Sequence, residues 1–343
     1  MDWQGLFLFA KKQAILGVVF EGVKRMEEDE GRIPYHVLME WITITAQIEY
    51  QNKVVNAAAA EVTKKLKDRG FDSCVLKGQG NALMYPNHYS RMSGDIDVWV
   101  KRNLGTAGCG NGGIKEVIKF VKGVYPKARA IYYHIDACEI NGVEVEVHYK
   151  PSFMNNPIYN SRLQRWFAAH NEEQYTNIVE LPDGVGEVAV PATEFNIVFQ
   201  LSHIYNHLLQ EGIGLRQIID YYYVLKSKTN HTNDTNIIDL LNYLGLIKIA
   251  GAVMWVLNEV LGLEENYLIV PKNEQIGKVL LSEIIRGGNF GYYDENNRKA
   301  TTAIKKNVQR LKRDFRMMRY FPSECLWEPI FRVYHYFWRL RYN

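Results

Sequence analysis

Polar and apolar positions change period along this chain. Over the first seventy residues the spacing is helical: Leu6, Phe7, Ala10, Ala14, Val18 and Val19 recur on one face, and residues 34–68 continue as an Ala-rich and Lys/Glu-rich helix that stops at Arg69-Gly70. Residues 71–76 then read as a strand. A turn broken by glycine at Gly78, Gln79 and Gly80 leads into a short helix over 81–85 and a loop over 86–93. In Gly94-Asp95-Ile96-Asp97-Val98-Trp99-Val100 acidic and apolar residues alternate. An extended chain therefore places Asp95 and Asp97 on one face and Ile96, Val98 and Val100 on the other.

Residues 104–113 hold five glycines without the G-x-x-x-x-G-K-[ST] spacing of a phosphate loop, and read as a mobile connection. After a helix over 114–124, extended segments at 129–140 and 143–149 flank Asn141-Gly142, a hairpin turn signal. In the second segment Glu144, Glu146 and His148 alternate with Val143, Val145 and Val147, so the three polar residues share a face. From Pro191 onward the helical period returns. Thr193 is the expected N-cap for 194–210, and further helices are expected over 215–226, 236–261, 275–286 and 301–318. The expectation is an α+β fold with a small mixed-sheet core over 71–190. A helical region over 1–70 precedes it, and a helical region over 191–343 with a basic, aromatic tail follows.

With 47% hydrophobic residues the chain can bury a large core, and a net charge of +3 does not argue for nucleic acid by itself. The distribution says more. Residues 301–343 carry ten Lys/Arg against three acids, which leaves the first 300 residues at −4. Phe315, Tyr320, Phe321, Tyr334, Tyr336, Phe337 and Trp338 sit among those cations. They could stack bases or form a helix pair packed on the body with a solvated basic face. The four cysteines show no C-x-x-C or other zinc spacing, so free thiols and a cytoplasmic location are expected. The run over 6–23 contains Lys11 and Lys12 and reads as neither a signal peptide nor a membrane span.

The candidate chemistry lies in the acidic strands. Two carboxylates side by side repel, and a cation between them relieves the repulsion. A glycine turn before the pair, Arg91 near it and a third carboxylate on a later strand form the set that two-metal nucleotidyl transfer needs, with oxygen donors suited to Mg²⁺. Alternation alone leaves Glu144 and Glu146 both open as the third carboxylate. His148 could support a ligand or simply pack. His203 and His207, one helical turn apart, could line the cleft or pack against the core; zinc there lacks the Glu of H-E-x-x-H and a third ligand.

The segment over 75–100 resembles the polymerase-β-like nucleotidyltransferase superfamily, whose motif is a hydrophobic residue and glycine, a D-h-[DE]-h strand and a separate third carboxylate. More narrowly, Leu76-Lys77-Gly78, Tyr85-Pro86, Arg91 and Gly94-Asp95-Ile96-Asp97 look like the uncharacterised bacterial nucleotidyltransferase family within it. Val145-Glu146-Val147-His148, Leu201-Ser202-His203, His207, Gly214-Leu215-Arg216-Gln217 and Asp220 fit the same family. The resemblance spans roughly residues 34–330. It implies Asp95, Asp97 and Glu146 as catalytic ligands of two Mg²⁺ ions. Lys77, Gly78, Gln79, Gly80, Arg91 and Arg216 would bind an NTP. The implied reaction moves a nucleoside monophosphate to an acceptor hydroxyl, on a small molecule before a protein or an RNA, and releases pyrophosphate. Gln79 stands where the superfamily prefers Gly or Ser, the gap from Gly78 to Asp95 is longer than usual, and Glu146 replaces Asp. The Gln79 departure motivates the alternative, a catalytically silent nucleotide- or partner-binding module on the same fold.

Overall fold

The structure, a computed structural model, describes residues 1–26, 33–102, 112–228, 234–294 and 302–343. Two helices open the chain, α1 (Trp3–Lys12) and α2 (Leu16–Val23), separated where Ala14 takes a φ of +57°. The long helix α3 (Tyr35–Lys67) buries Trp41 against Phe7 and Phe20, which ties the three helices together. Next come β1 (Phe71–Val75), the single-turn helix α4 (Gln79–Ala82), β2 (Ile96–Arg102) and α5 (Gly112–Val124). The hairpin of β3 (His134–Ile140) and β4 (Val143–His148) follows. Asn141 and Gly142 both have positive φ, +54° and +78°, the conformation that a two-residue primed turn requires.

The main sheet runs β1-β2-β4-β3, with β2 and β4 parallel and the outer pairs antiparallel, so the fold is α+β with a small mixed sheet. One face presents Ile96, Val98, Val100, Val145 and Val147 to Val55, Ala59 and Val62 of α3 and Val117 and Val121 of α5. The other carries Asp97, Glu146 and Trp99, and Trp99 stacks on Phe195 of α8 (Thr193–Gln210). Between β4 and α8 lie α6 (Pro157–Ala169), α7 (Asn171–Thr176) and a two-stranded ribbon of β5 (Ile178–Glu180) and β6 (Glu187–Ala189), none of which the sequence pattern suggested. Helix α8 is buried nearly all round and runs through the larger hydrophobic cluster. That cluster joins α1–α3 to α9 (Leu215–Lys226), α10 (Asp234–Tyr243), α11 (Ile247–Glu259) and α12 (Glu274–Gly287).

Several boundaries differ from expectation. β2 begins at Ile96, so Asp95 sits just before it, and β3 begins at His134, not at 129. The short helix starts at Gln79, two residues early, because Gly78 at φ +54° turns the chain directly into it. Thr193 is the first helical residue; Ala192 holds the N-cap position without a side-chain bond. The helix expected over 236–261 is broken at Gly245, whose φ of +77° ends α10. Of the glycine-rich connection, 103–111 lies outside the described residues.

The tail forms α13 (Ala303–Met317) and α14 (Pro322–Tyr342). Phe321 and Trp338 are buried, while Phe315, Tyr336 and Phe337 are exposed, so only part of its aromatic content serves as core. Glu324 fastens α14 to the body by accepting from the backbone N–H of Asn155 (2.6 Å) and Asn156 (3.3 Å). Among the described residues no helix is long and apolar enough to cross a membrane.

Candidate functional site

The parallel register of β2 and β4 makes Asp97 and Glu146 direct neighbours. Asp95, two residues before Asp97, falls on the same face. Ligand atoms of Asp95, Asp97 and Glu146 lie within 4.8 Å of one another. Glu144 shares that face by alternation but sits at the exposed hairpin end opposite Glu139, outside the group. Of the two glutamates that alternation left open, Glu146 is the one that stands beside Asp95 and Asp97.

Two cations temper the crowding. Lys77 Nζ is 2.9 Å from Asp97 Oδ2, and His148 Nε2 is 2.8 Å from Asp97 Oδ1 and 3.3 Å from Glu146 Oε2. Burial works against ionised Asp97, but Lys77 and His148 overcome it and hold the carboxyl well below its ordinary range. The charge on Asp97, followed by burial, pushes Asp95 up. Burial also opposes protonated His148, yet its bonds to Asp97 and Glu146 raise it to about 9. Lys77 is likewise raised, since Asp97, Asp95 and Glu146 outweigh its burial.

His134, which sequence reasoning missed, lies against the same carboxylate, with Nδ1 3.0 Å from Glu146 Oε2 and Nε2 3.1 Å from Asp136 Oδ1. A β-bulge between Asp136 and Cys138 puts it there. Below the bulge Cys138 pairs with Val145, and above it Asp136 pairs with Glu146 and His134 with His148. A regular ladder counted from Asn141-Gly142 would have turned His134 to the valine face.

Helices form the opposite wall of a cavity of about 310 Å³. Asp220 on α9 accepts from Arg91 Nε and Nη2, both at 2.7 Å, and from the Tyr85 hydroxyl at 2.6 Å. Burial opposes the Asp220 carboxylate, and Arg91 reverses the effect and lowers it. Three separate pieces of the sequence motif thus meet in one buried cluster. Arg91, expected on a phosphate, has its fork committed to Asp220.

Arg216 donates from Nη1 to the Met92 carbonyl (3.0 Å) and stands over the Phe290 ring, and its Nε has no hydrogen-bond partner. Burial, then Arg91, makes its charge costly. His203 and His207 both line the cavity with rings 4.2 Å apart. His203 Nε2 is 3.2 Å from Lys77 Nζ, and burial together with the Lys77 charge holds this histidine well below its ordinary range. His203 is therefore neutral and accepts from the lysine.

The glycine turn is only partly as expected. Lys77 and Gly78 line the cavity. Gln79 is buried and bonds Asn56 of α3 through its amide, and Gly80 is packed against Val190, where a Cβ would come within 2.8 Å. Neither side of that pair faces the cavity. The cavity also brings in Asn81, Tyr133, Gln200 and Phe290, for which the sequence offered no signal.

A family model described as an uncharacterised nucleotidyltransferase matches residues 1–262. No curated protein matches the chain. Among solved structures, an antigenic nucleotidyltransferase-like protein from Paracoccidioides brasiliensis aligns at 11% identity and a TM-score of 0.31, covering 57% of this chain and 93% of that one.

Proposed function

The chain belongs to the family of uncharacterised nucleotidyltransferases, and from that premise we propose that it moves a nucleoside monophosphate from an NTP to an acceptor hydroxyl. The observation that carries this reading is the triad of Asp95, Asp97 and Glu146 gathered within 4.8 Å on the wall of a half-open cavity. The donors are oxygens and carry excess negative charge, which fits Mg²⁺, and the three carboxylates are the residues that would hold it. When bound, the ions supply charge neutralisation on the phosphates and a more acidic acceptor hydroxyl.

The chain's own groups do the rest. Arg216, with its unsatisfied Nε, takes the triphosphate beside the Gly78 turn. Arg91 holds Asp220 and acts as a positioning residue for α9, which carries Arg216. Glu146 accepts the acceptor proton as the acceptor oxygen bonds to the α-phosphorus and the bond to the β-phosphate breaks, releasing pyrophosphate. The small volume of the cavity, about 310 Å³, favours a small hydroxylated acceptor. The acidic strands and the glycine turn support reading the chain as polymerase-β-like. The silent-module alternative was motivated by Gln79, and it loses that support because the Gln79 amide is turned to Asn56 and away from the cavity.

The test is to incubate the chain with labelled NTPs, Mg²⁺ and a panel of hydroxylated acceptors, beside the Asp95→Asn/Asp97→Asn variant. Wild-type transfer with pyrophosphate release, lost in the variant, is expected. Transfer that survives the double change would sink the mechanism.

A further inference from the structure

We infer that His134, His148 and Glu146 form a site for a transition-metal dication, next to the Asp95/Asp97 pair and distinct from it in ligand chemistry. Their ligand atoms lie within 4.8 Å of one another. More tellingly, Glu146 Oε2 is 3.0 Å from His134 Nδ1 and 3.3 Å from His148 Nε2. Ligands about 2.1 Å from a shared tetrahedral ion stand about 3.4 Å apart, so the seat already has nearly the right size.

The outer contacts point the same way. His134 Nε2 donates to the Asp136 carboxylate at 3.1 Å, which anchors the ring from one side and leaves the other nitrogen, Nδ1, beside Glu146 Oε2. His134 is buried, 5% exposed, and its Nδ1 makes no hydrogen bond. His148 is held from behind by the Lys150 carbonyl, 3.4 Å from Nδ1, and an ion would take the place of the Nε2 proton that it shares with Asp97 and Glu146. A carboxylate or carbonyl behind each imidazole is the arrangement that orients metal-binding histidines. Asp97 belongs to the neighbouring carboxylate group and meets this one only through its hydrogen bond with His148 Nε2 at 2.8 Å.

Two imidazoles with a carboxylate select zinc-like ions over Mg²⁺, which prefers oxygen alone. The site shares Glu146 with the nucleotidyl reading but does not depend on it. Co²⁺ alone serves as the probe, titrated into the untagged, metal-stripped full chain. One equivalent should bind with visible absorption bands of mixed nitrogen and oxygen coordination, and a thousandfold excess of Mg²⁺ should not displace it.

His134→Asn and His148→Asn should each weaken binding about a hundredfold. Asp136→Asn, at an exposed position with little risk to folding, should weaken it about tenfold. Asp95→Asn should keep tight Co²⁺ binding while losing any transfer activity, which separates failure of this site from failure of the nucleotidyl mechanism. Unchanged Co²⁺ affinity in both His134→Asn and Asp136→Asn, or displacement by equimolar Mg²⁺, would overturn the inference.

Discussion

Two carboxylate clusters line one cavity and are built on opposite terms. On the helical wall, Asp220 is buried with both oxygens occupied by Arg91 and the Tyr85 hydroxyl, so the cluster is closed. On the sheet wall, Asp95, Asp97 and Glu146 share Lys77 and His148, and Asp95 titrates high because Asp97 is beside it. A closed cluster serves the fold, since removing one partner strands the others in a poor solvent. An under-compensated cluster costs the fold something, and such strain is expected where a charged ligand will bind.

The comparison can be broken most sharply by removing one carboxylate from each wall. Asp220→Ala should destabilise the chain by about 3–5 kcal/mol by leaving Arg91 buried and unpaired, read as a fall in the urea midpoint. Asp95→Asn should leave that midpoint unchanged or higher while abolishing transfer. If Asp95→Asn unfolds the protein as readily as Asp220→Ala, the contrast is mistaken.

Next in size is Arg216, which belongs to the helical wall yet keeps an unsatisfied nitrogen. Arg216→Ala should raise KM for the NTP about 10- to 100-fold with a change in stability under about 1 kcal/mol, since one charge-assisted contact is worth about 1.5–3 kcal/mol. Steady-state kinetics beside a thermal melt separates the two.

The smallest effect is a pH dependence at the tail. Burial raises Glu324 to about 7, against a smaller opposing effect from the Asn155 and Asn156 N–H groups. A carboxyl raised in the folded state lends its full stability below its unfolded value, near 4.5, and loses it as pH rises through about 7. Between pH 5 and pH 8 the wild type should therefore lose about 1–3 kcal/mol relative to Glu324→Gln. Parallel melting curves for the two proteins would sink this assignment.

How far the sequence revealed this site depends on which contacts are local. Alternation along single strands was enough to place Asp95 with Asp97 and Glu146 with His148, because the period of two is a property of each strand alone. The α+β class followed from the change of period between segments. His134 stayed hidden because one bulged residue moves it from the apolar face to the polar one, and nothing between Arg129 and Ile140 marks the bulge. The partner of Arg91 stayed hidden for a related reason. An arginine near two aspartates reads as a phosphate ligand until the fold brings Asp220 to it from α9. Gly245 could have been read as the end of α10, whereas the helices and ribbon between β4 and α8 carry weak periodicity and emerge only on packing.

The parallel pairing of Asp97 with Glu146 also governs the order of assembly. Antiparallel neighbours such as β3 and β4 can zip from their turn, but parallel strands meet only after the crossover between them has closed, and that closure costs entropy before any contact repays it. The carboxylates of this cavity are therefore strangers until the sheet is complete. A chain stalled with only its hairpin formed would own every ligand and no site, so the cavity is a late event in folding and a sensitive witness to its completion.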